Sequence, residues 1–309
     1  MCELLGMSAR LPASITLSLN ELARHGGETG PHVDGWGIAF YEGPDANLIR
    51  ESTAAANSTL MSTLRSYKVE SEIVLAHIRL ASRGSVKLRN THPFRRELAG
   101  RVHTFAHNGH LSGIKDRFRF SPFQRVSPIG DTDSEHAFCA LMQRLSLIWI
   151  RHDELPALSK RIEIVADFAR EIGEIGPANF LYSDGDALFV HGHIRTQADG
   201  QRRAPGLHYL SVECNYGVGQ SKLVGVEFES KQIQQVTLVS TSPLREGGWI
   251  PMSEGQLLVV QGGKIVHNET YIRRATTALS VQSERMSPGC VSLEHWPHVV
   301  ATESRPCPM

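Results

Sequence analysis

Hydrophobic residues along the chain fall into many short runs that predict β-strands. These runs include "CELLGMSA", "WGIAFYEG", "EIVLAHIRLA", "VHTFAHNG", "LHYLSVE", "QVTLVSTSP" and "GQLLVVQGGKIV". In "NFLYSDGDALFVHGH" the turn-forming pair Asp184 and Gly185 separates two apolar runs, which is typical of a β-hairpin. The pattern therefore predicts a sheet that is at least partly antiparallel.

Helical periodicity is confined to three segments. Their apolar positions are Ile15, Leu19 and Leu22, then Ala137, Phe138, Leu141 and Leu145, and finally Leu158, Ile162, Val165, Phe168 and Ile172. The second segment follows the acidic stretch "DTDSE", which favours a helix amino terminus. Many strands with a few long helices, not strictly alternating, predict a layered α+β fold. The periodicity fades near Tyr271, so we expect one domain over 2–270 and a loosely ordered tail over 271–309.

Composition narrows the class of protein. The 309 residues are 41% hydrophobic and carry 32 basic and 32 acidic side chains, a balance that gives no indication of a nucleic-acid partner. The scattered cysteines favour a reducing compartment over a disulfide framework; they are Cys2, Cys139, Cys214, Cys290 and Cys307. No run is apolar enough for a membrane span or a signal peptide, so we expect a cytoplasmic protein. The 15 histidines lack zinc-site spacing, and we expect neither a metal nor a cofactor.

Cys2 is the first candidate catalytic residue. Removal of Met1 would leave a thiol and a free α-amino group on the same residue. An α-amine has a pKa of about 7.7–8.0, so at neutral pH part of it is free base and can take the thiol proton. The alternative is that Cys2 is a small buried residue at the start of a strand.

Arg79 and Asp133 are candidates for binding the charged groups of an amino acid. Arg79 ends an apolar run, where a guanidinium requires an anion such as a substrate carboxylate or an internal Asp or Glu. Asp133 lies in "GDTDSEHAF" and could meet a substrate ammonium group. The alternative for Asp133 is a helix cap.

Asn108 and Gly109 end the apolar run "VHTFAHNG". A side-chain amide followed by the N–H of a glycine provides two donors that could converge on a developing oxyanion. The alternative is a tight turn, because Asn-Gly is a common turn dipeptide. With a terminal thiol, an Arg and an Asp, the set fits an amino acid held by its zwitterion while a side-chain carbonyl is attacked, and glutamine fits best.

With these motifs in order, the sequence resembles the class II (amino-terminal nucleophile) glutamine amidotransferases. The resemblance runs from Cys2 to about Val266 and is strongest to compact stand-alone members. It rests on "MCELLGMS", "DGWGIAFYEG", "NTHPFRREL", "AHNGHL" and "TDSEHAF". This chain differs from better-known members at Leu80, where they have Trp directly after the Arg that binds the substrate carboxylate.

The resemblance implies a four-layer αββα sandwich of two mainly antiparallel sheets. It also implies that Cys2 is the nucleophile and that Asn108 and Gly109 form the oxyanion hole. Arg79 would bind the α-carboxylate and Asp133 the α-amino group, with the loop after Arg79 closing over the substrate. The implied substrate is glutamine or another γ-glutamyl amide.

Hydrolysis of glutamine would release ammonia, and the sequence does not indicate which partner would use it. No synthase domain follows the motifs, so a separate synthase subunit is one candidate partner. Two alternatives stay open at this stage. One is an amidohydrolase that removes a γ-glutamyl group from a larger metabolite, and the other is a glutamine-binding regulatory subunit with little turnover.

Overall fold

The computed structural model describes residues 2–271 except 82–83, 121–125, 153, 215–225, 228–232 and 245. The strands of the first half are β1 (Glu3–Ser14), β2 (Trp36–Glu42), β3 (Asp45–Glu51), β4 (Glu70–Ile78), β5 (Phe94–Leu98) and β6 (Arg101–Gly109). Those of the second half are β7 (Ala178–Ser183), β8 (Leu188–Gly192), β9 (Arg195–Thr196), β10 (Arg202–Arg203), β11 (His208–Cys214), β12 (Gln234–Ser240), β13 (Ile250–Pro251), β14 (Gln256–Gln261) and β15 (Lys264–Thr270). The predicted tail, with Cys290 and Cys307, lies outside the described residues from 272 onward.

The described residues form few helices, and most of these are short. They are α1 (Thr16–His25), α2 (Thr59–Ser66), α3 (Ile114–Arg117), α4 (Asp133–Leu145) and α5 (Leu158–Gly173). Two short 3-10 helices, Ala55–Asn57 and Leu88–Asn90, lie in connections. The helix α4 begins where the side chain of Thr132 accepts a hydrogen bond from the Glu135 N–H (3.2 Å).

Two antiparallel sheets contain most of the strands. The first has seven strands in the order β13-β11-β12-β1-β4-β2-β3, and the second has six in the order β15-β14-β8-β7-β6-β5. In the first sheet β1 is central, pairing with β12 on one side and β4 on the other. The strand that follows Cys2 is therefore held by neighbours on both edges.

Three apolar cores separate four layers. One core packs α1 against the first sheet and another packs α4 and α5 against the second, while the third lies between the sheets. Side chains of β1 alternate accordingly, because Leu5 faces the helix side and Leu4 faces the other sheet. At Gly6 an added Cβ would lie 3.1 Å from Leu181, so the glycine allows close contact between the sheets.

The predicted fold class, a four-layer αββα sandwich of two antiparallel sheets, is confirmed. The hairpin predicted around Gly185 is formed by β7 and β8. The three predicted helices correspond to α1, α4 and α5, whereas the pattern missed β3, β5, β9, β10, β13, α2 and α3. These missed elements are short, and β3 and β5 lie at sheet edges, where part of the side chains is exposed.

Candidate active site

Cys2 lies immediately before β1 and is half-buried. The main chain of Leu80 brackets its sulfur, since the Leu80 N–H lies 3.3 Å from Sγ and the Leu80 carbonyl oxygen lies 3.4 Å from it. Burial raises the pKa of the Cys2 thiol, while the Leu80 hydrogen bond and the positive charge of Arg79 oppose that shift. A thiolate at this position therefore requires a base or a further positive charge.

Arg79 directly follows β4 and is 3% exposed. Its guanidinium donates hydrogen bonds to the main-chain carbonyls of Ser85 (3.1 Å) and Gly84 (3.4 Å). A Cβ added at Gly84 would lie 3.5 Å from Nη2 of Arg79 and 3.4 Å from Thr132. The turn around Gly84 thus brings Arg79 close to the beginning of α4.

Asn108 is a strand residue that reaches across the interface between the sheets. It pairs with Asn179 in the β6–β7 ladder, so the interpretation of Asn108 and Gly109 as a tight turn is wrong. The Asn108 side-chain amide donates a hydrogen bond to the main-chain carbonyl of Cys2. One predicted donor is therefore in direct contact with the residue that carries the predicted nucleophile.

Gly109 occupies a position with no room for a side chain. It pairs with Ala178, and an added Cβ would collide with the carbonyl oxygen of Pro177. The same Cβ would lie 2.8 Å from the ring of His107. Close approach of the Pro177 main chain therefore explains the glycine.

Asp133 is the first residue of α4, and the cap of that helix is Thr132 instead. One carboxylate oxygen of Asp133 accepts the Leu111 N–H (2.7 Å) and lies 3.1 Å from Nδ1 of His110. The other accepts the Ser134 N–H (2.9 Å). Asp133 also lines a cavity of about 320 Å³. The carboxylate is thus rigidly held at the edge of a space that could hold a small molecule.

Two residues without an assigned role in the sequence analysis hold the site together. Asp34 accepts the Ala81 N–H at 2.7 Å, and its own N–H donates to the Arg79 carbonyl at 3.1 Å. Asn179 donates to the Asn108 carbonyl at 3.2 Å. The motif that contains Asp34 was a signal for this role, whereas nothing around Asn179 in the sequence pointed to one.

A second cavity, of about 170 Å³, adjoins Cys2. Its lining includes Glu3, His32 and Arg195. Arg195 donates to the Thr241 carbonyl at 3.0 Å, and burial lowers the pKa of its guanidinium. This cavity therefore brings one positive and one negative charge, those of Arg195 and Glu3, close to the residue that carries the predicted nucleophile.

Neither a metal cluster nor a membrane-spanning helix is found in the part of the chain that the structure describes. No three His, Cys, Asp or Glu side chains among those residues are grouped so that they could hold a metal ion. None of the described helices is both long enough and apolar enough to cross a bilayer.

The layered fold and the placement of Cys2 define a class of protein. A four-layer αββα fold whose central strand begins directly after a half-buried cysteine is typical of amino-terminal nucleophile proteins. The family model of class-II glutamine amidotransferases matches residues 1–284. The chain belongs to that family.

Relatives and solved structures agree with this assignment. The chain is 39% identical to Escherichia coli (strain K12) YafJ, whose name assigns it provisionally to the glutamine amidotransferases, over 79% of this chain and 91% of YafJ. A crystal structure from Pseudomonas aeruginosa PA01, described as a predicted glutamine amidotransferase, is 32% identical with a TM-score of 0.60. That match covers 86% of this chain and all of the other. A Bacillus subtilis glutamine phosphoribosylpyrophosphate amidotransferase is 16% identical with a TM-score of 0.51, over 87% of this chain and 49% of that one, and supports the fold alone.

Proposed function

We propose that the chain hydrolyses the γ-amide of glutamine through a thioester on Cys2. The observation that carries the proposal is the convergence on Cys2 of the Asn108 amide and the main chain of Leu80. Leu80 directly follows Arg79, so the segment that would hold the substrate also touches the sulfur.

The substrate would be held by its α-carboxylate and its α-ammonium group. The Arg79 guanidinium has the planar fork that suits a carboxylate, and the carbonyls of Ser85 and Gly84 fix its orientation. Asp133 would accept the ammonium group. The Asp133 side chain is 19% exposed and lines the cavity of about 320 Å³, so an ammonium group that enters this cavity can reach the carboxylate.

The nucleophile would be activated by its own residue. Removal of Met1 exposes the α-amine of Cys2, which takes the thiol proton as the sulfur attacks the amide carbon. Because burial raises the pKa of the thiol, a nearby base is required at neutral pH. The carbon–sulfur bond forms, and the carbonyl electrons move to oxygen.

Asn108 and Gly109 would stabilise the resulting oxyanion. An asparagine amide has two N–H donors, and the bond to the Cys2 carbonyl uses one of them, so the other can face the oxyanion with the Gly109 N–H. Collapse of the intermediate breaks the carbon–nitrogen bond, and the protonated α-amine of Cys2 gives its proton to the leaving ammonia. Water, deprotonated by the α-amine, then hydrolyses the thioester to glutamate.

The cavity of about 170 Å³ beside Cys2 favours a second candidate function. Such a space could accept the substituent of a γ-glutamyl amide that is larger than glutamine. Arg195 and Glu3 would offer such a substituent one positive and one negative group to pair with. The same thioester chemistry would then release an amine instead of ammonia.

Hydrolysis of two substrates by the purified chain tests both candidates. Glutamate is quantified after incubation with glutamine and with γ-glutamylglycine, and Cys139→Ala, which removes a buried thiol, is the control for Cys2→Ala. Glutamate from glutamine supports the first function, and glutamate from the dipeptide alone supports the second. Release from neither, with glutamine binding retained, would indicate a regulatory subunit instead.

A further inference from the structure

A cleft of about 520 Å³ lies outside the candidate active site. It is enclosed by β3, β5 and residues near the beginning of α4. Four arginines line it, and we call it the arginine cleft after them; they are Arg50, Arg89, Arg95 and Arg96. None of the five predicted active-site residues is among the described residues that line it.

Two carboxylates in the arginine cleft are already engaged. Glu135 is buried and accepts hydrogen bonds from Arg96 (2.6 Å) and from the N–H of Gly130 (2.6 Å). Asp45 accepts from Arg95 (3.1 Å) and from the adjacent Ala46 N–H. These two acids therefore balance Arg95 and Arg96, and among the described residues that line the cleft, four arginines against two acids leave a surplus of two positive charges.

Arg50 carries one of the two surplus charges. Within the described part of the chain its hydrogen bonds go to the main-chain carbonyls of Thr91 (2.8 Å) and Pro93 (3.4 Å). Burial lowers the pKa of the Arg50 guanidinium, the negative charge of Glu135 opposes that shift, and Arg96 adds to it. A half-buried guanidinium held by neutral acceptors is stabilised by any anion that enters the cleft.

Arg89 carries the other surplus charge. Its ion pair with Asp131 is long, 3.7 Å, and both side chains are 47% exposed. An ion pair with this geometry and exposure contributes little and leaves Arg89 able to bind another anion. Arg50 and Arg89 therefore provide two guanidinium groups in one concave polar space.

We propose that the arginine cleft binds the phosphate group of a small phosphorylated molecule. A phosphate monoester carries a charge of about −1.5 to −2 at pH 7, so it can interact with both Arg50 and Arg89. Its oxygens suit the fork of a guanidinium. The volume lies in the usual range of sites for small molecules, roughly 300–1,000 Å³. A nucleic acid fits less well, because the whole chain has no net charge.

Calorimetric titration of the full chain with inorganic pyrophosphate tests the proposal. We expect saturable binding of one pyrophosphate per chain, weakened about tenfold or more in Arg50→Gln and in Arg89→Gln. Arg50→Lys keeps the charge but loses the fork, and we expect an intermediate affinity. The control Arg203→Gln removes an exposed arginine that pairs with Asp199 at 2.8 Å, and it should bind as the wild type does.

Three results would overturn the proposal. They are no saturable binding by the wild type, equal weakening in Arg203→Gln and Arg50→Gln, and tighter binding of citrate than of pyrophosphate. Thermal melting of each variant establishes that it is folded before titration. Because the readout is binding, it is independent of whether glutamine is hydrolysed.

Discussion

The side-chain amide of Asn108 donates a hydrogen bond to the main-chain carbonyl of Cys2. The two residues are 106 positions apart in the chain; Asn108 lies in the second sheet and Cys2 directly precedes β1 of the first, so this bond links the two sheets at the predicted nucleophile. The contact gives Asn108 two roles under the proposed function. It positions Cys2 in the resting protein and stabilises the oxyanion in the transition state.

Asn108→Ala is expected to lower kcat with little change in KM, because the charge on the oxygen appears only in the transition state. Loss of one such donor typically costs 10²–10³-fold, roughly 2.7–4 kcal/mol. The variant also leaves the Cys2 carbonyl without its donor, which costs about 1–3 kcal/mol of stability. Steady-state kinetics and thermal melting on the same preparation measure both effects.

Asn108→Asp is the stronger test of the oxyanion role. It nearly preserves shape but places a negative charge beside both the Cys2 carbonyl and the oxyanion, so kcat should fall at least as far as in the alanine variant. Asn57→Ala changes an exposed asparagine on a 3-10 helix and serves as the control. Normal turnover per folded molecule in Asn108→Asp would contradict the assignment.

Processing of Met1 is predicted to be required for activity. If the α-amine of Cys2 is the base, the active protein lacks one methionine, and intact-mass measurement of protein made in cells should show that loss. Cys2→Ala should abolish hydrolysis and leave the melting temperature nearly unchanged, because the residue precedes β1 and is only half-buried. An active preparation with Met1 fully retained would exclude the α-amine as base.

Arg79→Lys and Asp133→Asn are expected to act on binding more than on chemistry. Lysine keeps the charge but loses the bidentate fork, and asparagine removes the charge that would meet the ammonium group, so KM should rise more than kcat falls. Asp167→Asn, on the exposed face of α5, is the control. A fall in kcat with unchanged KM in both variants would mean that neither residue binds the zwitterion.

The sheets and the long helices could be predicted because their periodicity is local. Apolar runs such as β6 and the stripe of α5 record burial directly in the sequence. The edge strands β3 and β5 escaped prediction because much of each is exposed and carries charged side chains. The order of the strands in the sheets could not be predicted either, because the pairing of β1 with β12 joins segments more than 200 residues apart.

The candidate residues could be selected from the sequence because polar side chains stand at the ends of apolar runs, as at Arg79 and Asn108; their roles stay predictions. The contacts that organise them could not, since they involve main-chain atoms or distant partners. Neither the bracketing of the Cys2 sulfur by Leu80 nor the bond from Asn179 to the Asn108 carbonyl leaves a pattern in the sequence. The arginine cleft likewise forms only when β3 and β5 are brought together with the beginning of α4.

Buried histidines are predicted to make the fold sensitive to acid. Burial is the main cause of the lowered pKa in each of His77, His92, His103, His107 and His191, to about 3 for His77 and His191 and to about 4 for His103. These side chains are neutral in the folded state at pH 7, whereas in the unfolded chain a histidine binds a proton near pH 6.5. Their contribution to the free energy of unfolding is therefore complete above about pH 6.5. It is lost as the pH falls from there toward the pKa values that these histidines have in the folded state.

His92→Phe isolates one part of this effect. A phenylalanine keeps the ring packing against His77 (4.3 Å between centroids) and Phe94 (4.4 Å) but cannot bind a proton. One histidine with a strongly lowered pKa decreases the free energy of unfolding by about 1.4 kcal/mol when the pH falls from 7.5 to 5.5. The decrease measured for the variant should therefore be smaller than that of the wild type by about this amount. Denaturant unfolding at the two pH values measures it, with the exposed His152→Gln as control. If the free energy of unfolding changes equally between the two pH values in His92→Phe and in the wild type, His92 takes up no proton on unfolding.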